Sequence, residues 1–291
     1  MAFVRDTVDR FLRASYDDVS VDAEGDHVVR RGGASVWIRV MELMDDKTAV
    51  FIWSVPVVEP RVDAELTRYL ATEGDHLTFG SFELHASPDR VHISHTLLGE
   101  FLSREELEVA VDEVLAMTVR YARTIGDRFG GRRAEAGSVP EPRRSTPPAR
   151  EPEALERLRR KVETYLKESV SSVSADDEGD FMVHGGPVVA WVRVHISEQG
   201  RGLVRVFSVT NVGVRVDGEL TRYLLETNAR LPFGGFRLDE HGLAVIIVHS
   251  LLGEYLNRNE LHAAILTVTG AAGQFAPEIR ARFGGTLFTE S

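Results

Sequence analysis

Apolar residues recur at helical spacing through the first turns of the chain, at Val4, Val8, Phe11 and Leu12, and the pattern returns at Leu158, Val162, Tyr165 and Leu166. Each set predicts an amphipathic helix. After the first helix the period changes. Val19 to Asp22 and His27 to Arg30 flank a Glu24-Gly25-Asp26 turn, which predicts a hairpin. Val36 to Met44 and Thr48 to Val55 alternate with period two around Asp45-Asp46-Lys47 and predict a second hairpin. Pro60 is expected to open a short helix with Leu66, Tyr69 and Leu70 on one face, because a proline in the first helical turn loses no hydrogen bond. Phe79 to His85 and Val91 to Leu97 predict a third hairpin across Ser87-Pro88-Asp89. Ser103 and Glu106 then form a capping box ahead of Leu107, Val114, Tyr121, Ile125 and Phe129, which carry a long helix to Gly130-Gly131.

The whole pattern occurs twice. Shifting the chain by 154 residues aligns Val4–Gly131 with Leu158–Gly285 without a gap, and about 50 of the 128 positions are identical. The best-matched blocks are Glu24-Gly25-Asp26, Arg61-Val62-Asp63, Glu65 to Leu70, Leu97 to Glu100 and Arg128 to Gly131, each with its counterpart 154 residues on. Between the copies, 132–152 holds five of the eleven prolines, several Arg and Glu, and almost no large apolar residue. Such a stretch cannot build a core and is expected to be a solvated tether. The expected domains are therefore 1–131, a linker at 132–152, and 153–291. Each domain is expected to be α+β, running helix, strands, helix, strands, helix, with an antiparallel sheet packed on its helices.

The faces of the sheet separate by parity. Val36, Ile38 and Val40, with Ala190, Val192 and Val194, are expected to face the helices. The other side carries Trp37, Arg39 and Met41 in one copy and Trp191, Arg193 and His195 in the other. The next strand adds Phe51, Trp53 and Val55, or Arg205, Phe207 and Val209. Aromatic and cationic side chains together suit protein recognition. Trp37, Arg39, Trp53, Trp191, Arg193 and Phe207 are thus candidate peptide-binding residues. Burial of the same face against the sister domain is the equal alternative.

Composition narrows the chemistry. There is no cysteine, so disulfides, thiolate catalysis and cysteine metal sites are excluded. The net charge is −11 and the pI about 5.4, which opposes sequence-independent nucleic-acid binding. The apolar runs are too short to cross a membrane, and the start, Met1-Ala2-Phe3-Val4-Arg5-Asp6, lacks the pattern of a secretory signal, so a cytoplasmic protein is expected. His95 and His249, each five residues ahead of Glu100 or Glu254, have no nucleophile motif beside them and read as structural. His92 and His95, with His85 nearby, resemble a metal cluster, but residues three apart on a strand point to opposite faces. The second copy has Asp239 and Ile246 at the places of His85 and His92, so neither a metal nor a cofactor is expected, nor is catalysis. Arg61, Asp63 and Arg68, with Arg215, Asp217 and Arg222, form charged clusters that read as helix-surface ion pairs or as docking residues for the sister domain or a partner.

The Glu-Gly-Asp hairpin, the His95-x-Leu-Leu-Gly-Glu100 block and the terminal Arg-Phe-Gly-Gly together resemble the YbjN-type domain, which shares its fold with the CesT-like chaperones of type III secretion. The resemblance covers both copies. It implies a non-enzymatic, cofactor-free domain that binds a protein or peptide client. Because the secretion relatives are homodimers, two copies in one chain suggest an intramolecular pseudo-dimer; independent domains on a tether are the other arrangement. A regulatory or scaffolding protein that bridges folded partners is the alternative function.

Overall fold

The computed structural model describes residues 1–43, 47–86, 89–133, 152–170, 172–197, 200–239 and 241–290. The expected turns at Asp45-Asp46 and Ser87-Pro88 and most of the 132–152 linker lie outside them. In the first copy the order is α1 (Ala2–Ser15), β1 (Val19–Val21), β2 (His27–Arg31), β3 (Ala34–Glu42), β4 (Thr48–Val58), α2 (Ala64–Glu73), β5 (Ser81–Ala86), β6 (Asp89–Leu98), α3 (Arg104–Phe129) and β7 (Arg132–Arg133). The second copy repeats it as α4 (Pro152–Ser169), β8 (Val173–Ala175), β9 (Phe181–Gly185), β10 (Val188–Ile196), β11 (Gly202–Val212), α5 (Gly218–Asn228), β12 (Gly235–Leu238), β13 (Ala244–Leu252), α6 (Arg258–Phe283) and β14 (Thr286–Leu287). Each half is thus an α+β domain with one antiparallel sheet.

Sheet order in the first copy is β1-β2-β3-β4-β6-β5, and the second copy has the same order. The short strand β7 adds to the far end of β4, pairing Val57 with Arg133 and Val58 with Arg132. The Arg-Phe-Gly-Gly sequence makes that approach feasible. Gly131 has φ of +90°, and a Cβ there would lie 2.7 Å from a methyl of Val57 and 2.8 Å from the carbonyl of Val58. Gly285 repeats the arrangement against Val212 and Val214. The backbone itself therefore requires glycine.

Alternation on β3 is strict: Ala34, Val36, Ile38 and Val40 are buried, and the residues between them are half exposed. The buried set joins Ile52 and Ile93 of the neighbouring strands, Val4, Val8 and Leu12 of α1, and Val114, Tyr121 and Ile125 of α3 in one core. The second core repeats this with Val162, Leu166, Val192, Val206 and Ile247.

The second helix differs from expectation in its start. It begins at Ala64 rather than Pro60, with Asp63 as N-cap accepting from the Leu66 amide at 3.0 Å. The second copy has Val214 in place of Pro60, yet α5 starts at the matching position under Asp217. The carboxylate cap sets the boundary, and the proline is incidental to it.

The two halves are in contact, and residues 154 apart meet each other. The Thr67 and Thr221 hydroxyls lie 2.7 Å apart. His95 and His249 stack with ring centroids 6.0 Å apart. Phe79 packs with Leu203 and Leu252 of the second copy, while Phe233 packs with Ala49 and Leu98 of the first. Leu225 is buried in the first core and Ala71 in the second. The match is not perfect: Asn228 donates to the carbonyls of Phe82 and Phe236, whereas its counterpart is Gly74, whose carbonyl accepts from Arg237.

Candidate functional site

The polar-side residues of β3 and β4 come into register on the face away from the helices. Trp37 stands opposite Trp53 and Arg39 opposite Phe51. The indoles stack with centroids 6.3 Å apart, and Phe51 stacks on Trp53 at 5.2 Å. In the second copy Trp191 stands opposite Phe207, with ring centroids 5.7 Å apart. The sequence-predicted aromatic residues therefore gather into one cluster per copy.

Arg39 and Arg193 are each held from one side. Arg39 Nε donates to Asp26 at 2.8 Å, and its Nη2 donates to Glu24 at 2.7 Å. Arg193 makes the same bonds to Asp180 and Glu178, each at 2.7 Å. Their guanidinium groups also lie over aromatic rings, Arg39 at 5.3 Å from Trp53 and Arg193 at 5.4 Å from Phe207. The Glu-Gly-Asp turn thus does more than reverse the chain. Asp22 and Asp176 fix the turn through backbone amides, and the turn presents two carboxylates to an arginine that roofs the aromatic cluster. A single strand reading could not supply this, because the turn and Arg39 lie on different strands. With their charge balanced within the fold, Arg39 and Arg193 support the aromatic platform more than they offer free cations to an acidic ligand.

The two faces are not equally open. Over the first copy lies a groove of about 650 Å³, lined among others by Trp37, Trp53, Val55, Arg30, Arg90 and His92. Asp22, Glu24 and Asp26 line it too, so its rim carries both signs of charge. On the second copy, Phe288, just after β14, lies edge-on to Trp191 with centroids 5.3 Å apart. The space beside it, between Val189, Val209, Leu287 and Phe288, is about 80 Å³. Position 134, the counterpart of Phe288, is an alanine.

The far end of the same faces serves the contact between copies. Met41 and Leu43 pack around Phe233, and Arg205 donates to Asp75 of the first copy at 3.2 Å. The groove and the contact between copies thus occupy different stretches of one sheet face.

The charged clusters at the second helices act mainly within their own copy. Arg61 donates to Asp63 at 2.6 Å and Arg215 to Asp217 at 2.7 Å. The helix-cap bonds from the Leu66 and Leu220 amides come first in lowering the carboxyl pKa of Asp63 and Asp217. Arg222 is the exception, donating to the Val62 carbonyl of the other copy at 3.3 Å. Arg68, its counterpart, comes near Gly242 of the second copy.

His95 and His249 are buried inside strands between the two copies. Burial, and then His249, lowers the His95 pKa to about 3; burial, and then Arg237, lowers that of His249 to about 4. Both are neutral at neutral pH. Glu100 accepts from the Thr48 amide, not from His95. Among the described residues the His95/Glu100 spacing therefore forms no acid–base pair. His92 does not join His95 either. It joins His85 and Glu83, with His85 Nε2 2.9 Å from the Glu83 carboxylate and the two imidazoles stacked at 3.9 Å. Glu83 is absent from the sequence-derived candidates, because only the β5–β6 register brings it opposite His92.

No helix among the described residues is long and apolar enough to cross a membrane. No curated protein matches the chain. A family model described as T3SS (YopN, CesT) and YbjN peptide-binding chaperone 1, TY-Chap1, matches residues 2–137 and again 156–291. Those two spans cover the paired sheets, the Glu-Gly-Asp clamps and both aromatic clusters. Through each of its halves, the chain belongs to the T3SS and YbjN peptide-binding chaperone family.

Proposed function

We infer that the protein holds an extended client segment in the groove of its first copy, and that its two halves work as an intramolecular pseudo-dimer. The observation that carries the reading is the contrast between the faces. Trp37 and Trp53 border a groove that is open among the described residues, whereas Trp191 is already covered by an aromatic side chain of the same protein. A stacked aromatic floor buries large apolar area with little conformational entropy to lose, which suits a client residue entering from above. Rim charges of both signs then favour hydrogen bonding along a peptide backbone over selection of one net charge. The pseudo-dimer reading is supported by the self-pairing of Thr67 with Thr221 and His95 with His249, the signature of a two-fold interface in which a surface meets its own copy. The mechanism is binding alone: the client's apolar residues are covered and so kept from premature folding or aggregation.

The test is an array of overlapping unfolded-protein peptides probed with the full chain, followed by fluorescence anisotropy on the strongest peptides. Trp37→Ala is expected to weaken their binding at least about tenfold, while Trp191→Ala leaves it within about twofold, provided circular dichroism shows both variants folded. Equal losses in the two variants would refute the assignment of the groove. Binding to folded proteins but to no peptide would favour a scaffold that bridges partners.

A further inference from the structure

On the side of the β5–β6 hairpin away from the helices, the first copy carries three potential metal ligands. Period-two alternation puts Glu83 and His85 on the same side of β5, and the strand register sets His92 directly across from Glu83. One ligand atom from each lies within 4.8 Å of the other two. His92 is 9% exposed, and its Nε2 has no hydrogen-bond partner among the described residues. Buried polar atoms are nearly always paired, so the free Nε2 leaves room for a ligand at this position. Glu83 is oriented from behind: the Ser94 hydroxyl donates to one carboxylate oxygen while the other faces His85. Such second hydrogen bonds are what fix a ligand carboxylate in a metal site.

The fold does not require these residues. The second copy builds the same hairpin with Arg237, Asp239 and Ile246 at the three places. Arg237 offers no lone pair to a cation and instead donates to the Gly74 and Gly80 carbonyls of the first copy. Asp239 accepts from the Leu243 and Ala244 amides, closing its own turn. The triad is therefore a feature of the first copy alone.

We propose that Glu83, His85 and His92 bind one divalent transition-metal ion of the zinc class, leaving its fourth coordination position toward the groove. Two imidazole nitrogens and one carboxylate oxygen suit Zn²⁺ or Co²⁺, whereas Mg²⁺ and Ca²⁺ prefer all-oxygen ligands. Bonds of about 2.0–2.2 Å place tetrahedral ligand atoms roughly 3.3 Å apart. The stacked imidazoles hold the ligand atoms wider than this, within 4.8 Å of one another, so His85, the most exposed of the three, must turn for the set to close on an ion. Since His92 lines the groove, a water or a donor atom of a bound client can complete the ion's shell. Arg90, paired with His85 across the strands and exposed to solvent, adds a positive charge beside the site that tempers the cation's affinity.

The test uses the full chain, stripped with chelator and titrated with ZnCl2 by calorimetry and with CoCl2 by visible absorption. One saturable Zn²⁺ site per chain and the intense bands of tetrahedral Co²⁺ are expected. Loss of an outer hydrogen bond alone weakens metal sites about 10–100-fold, so His85→Ala and Glu83→Gln should each cost at least about 100-fold. His184→Ala, an exposed histidine of the second copy, should leave the isotherm unchanged. His85 is partly exposed, so its removal spares the core if a His92 variant fails to fold. No saturable Zn²⁺ binding, or binding that survives both His85→Ala and Glu83→Gln, would overturn the proposal. The readout is metal alone, so its failure leaves the peptide-binding reading standing.

Discussion

Glu106 and Glu260 occupy the same position at the start of the two long helices, and both are almost fully buried. They face each other across the contact between copies. Burial first, and then the nearby Glu260, pushes the Glu106 carboxyl up to about 8; burial likewise raises Glu260, which is opposed by its cap and by Lys161 of α4. Away from water two adjacent carboxyl groups do not both ionise, so the pair is expected to keep one proton at neutral pH. A carboxyl whose folded pKa is raised contributes stability that is complete below about pH 4.5 and is lost as pH rises toward 8. Thermal unfolding of the native chain should therefore fall between pH 5 and 8 more steeply than that of Glu106→Gln, which keeps a neutral donor there. The variant should melt higher than the native chain at pH 8. Buried His95 and His249 change stability in the acid range in both proteins alike, so the difference between the two curves isolates the glutamate pair. Identical pH profiles would show that the two carboxyl groups do not share a proton.

The elements themselves were legible in the pattern of apolar positions, because each helix and hairpin buries a face of its own. Val36, Ile38 and Val40 could be assigned to the core from parity alone, as their strand meets water on only one side. What depended on register was not legible. The Arg39 clamp needs the pairing of two hairpins, and the Glu83–His85–His92 group needs the length of the β5–β6 turn, where a shift of one residue would turn His92 to the core. The boundary of α2 departs from the expected one because the side chain of Asp63, rather than the ring of Pro60, does the capping. The tail beyond Gly285 carries a signal in Phe288, an aromatic residue where the first copy has Ala134, but only the pairing of β14 with β11 brings it onto Trp191. The consequence is testable at the scale of that element. Phe288→Ala uncovers Trp191 and should raise the number of peptide sites per chain from one to two, measured by calorimetry with a peptide that binds the native protein. A stoichiometry that stays at one would mean that Phe288 is not a stand-in for a client side chain.

At the scale of the molecule, duplication explains why the sequence could not decide between docked and independent copies: a repeat looks the same either way. Polar bonds between the halves, such as Asn228 to Phe82 and Arg237 to Gly74 and Gly80, support the docked reading. Leu225, buried in the sister core, adds roughly 2 kcal/mol by the area it removes from water. A tether of the length of 134–151 holds its ends at about millimolar effective concentration, so even a weak interface stays closed in the intact chain. The informative experiment therefore removes the tether. With a protease site placed between Glu141 and Arg144 and the chain cut, the halves should still co-elute in size-exclusion chromatography at micromolar concentration, at the volume of the uncut protein. Thr221→Arg, which drives a charge into the buried Thr67–Thr221 contact, should separate the halves of the cut protein while leaving the uncut chain folded. Native halves that part on cutting would reduce the pseudo-dimer to two tethered domains. Halves that stay together and part only with Thr221→Arg would place the two-fold contact at α2 and α5, with the client groove free on the outer face of the first copy.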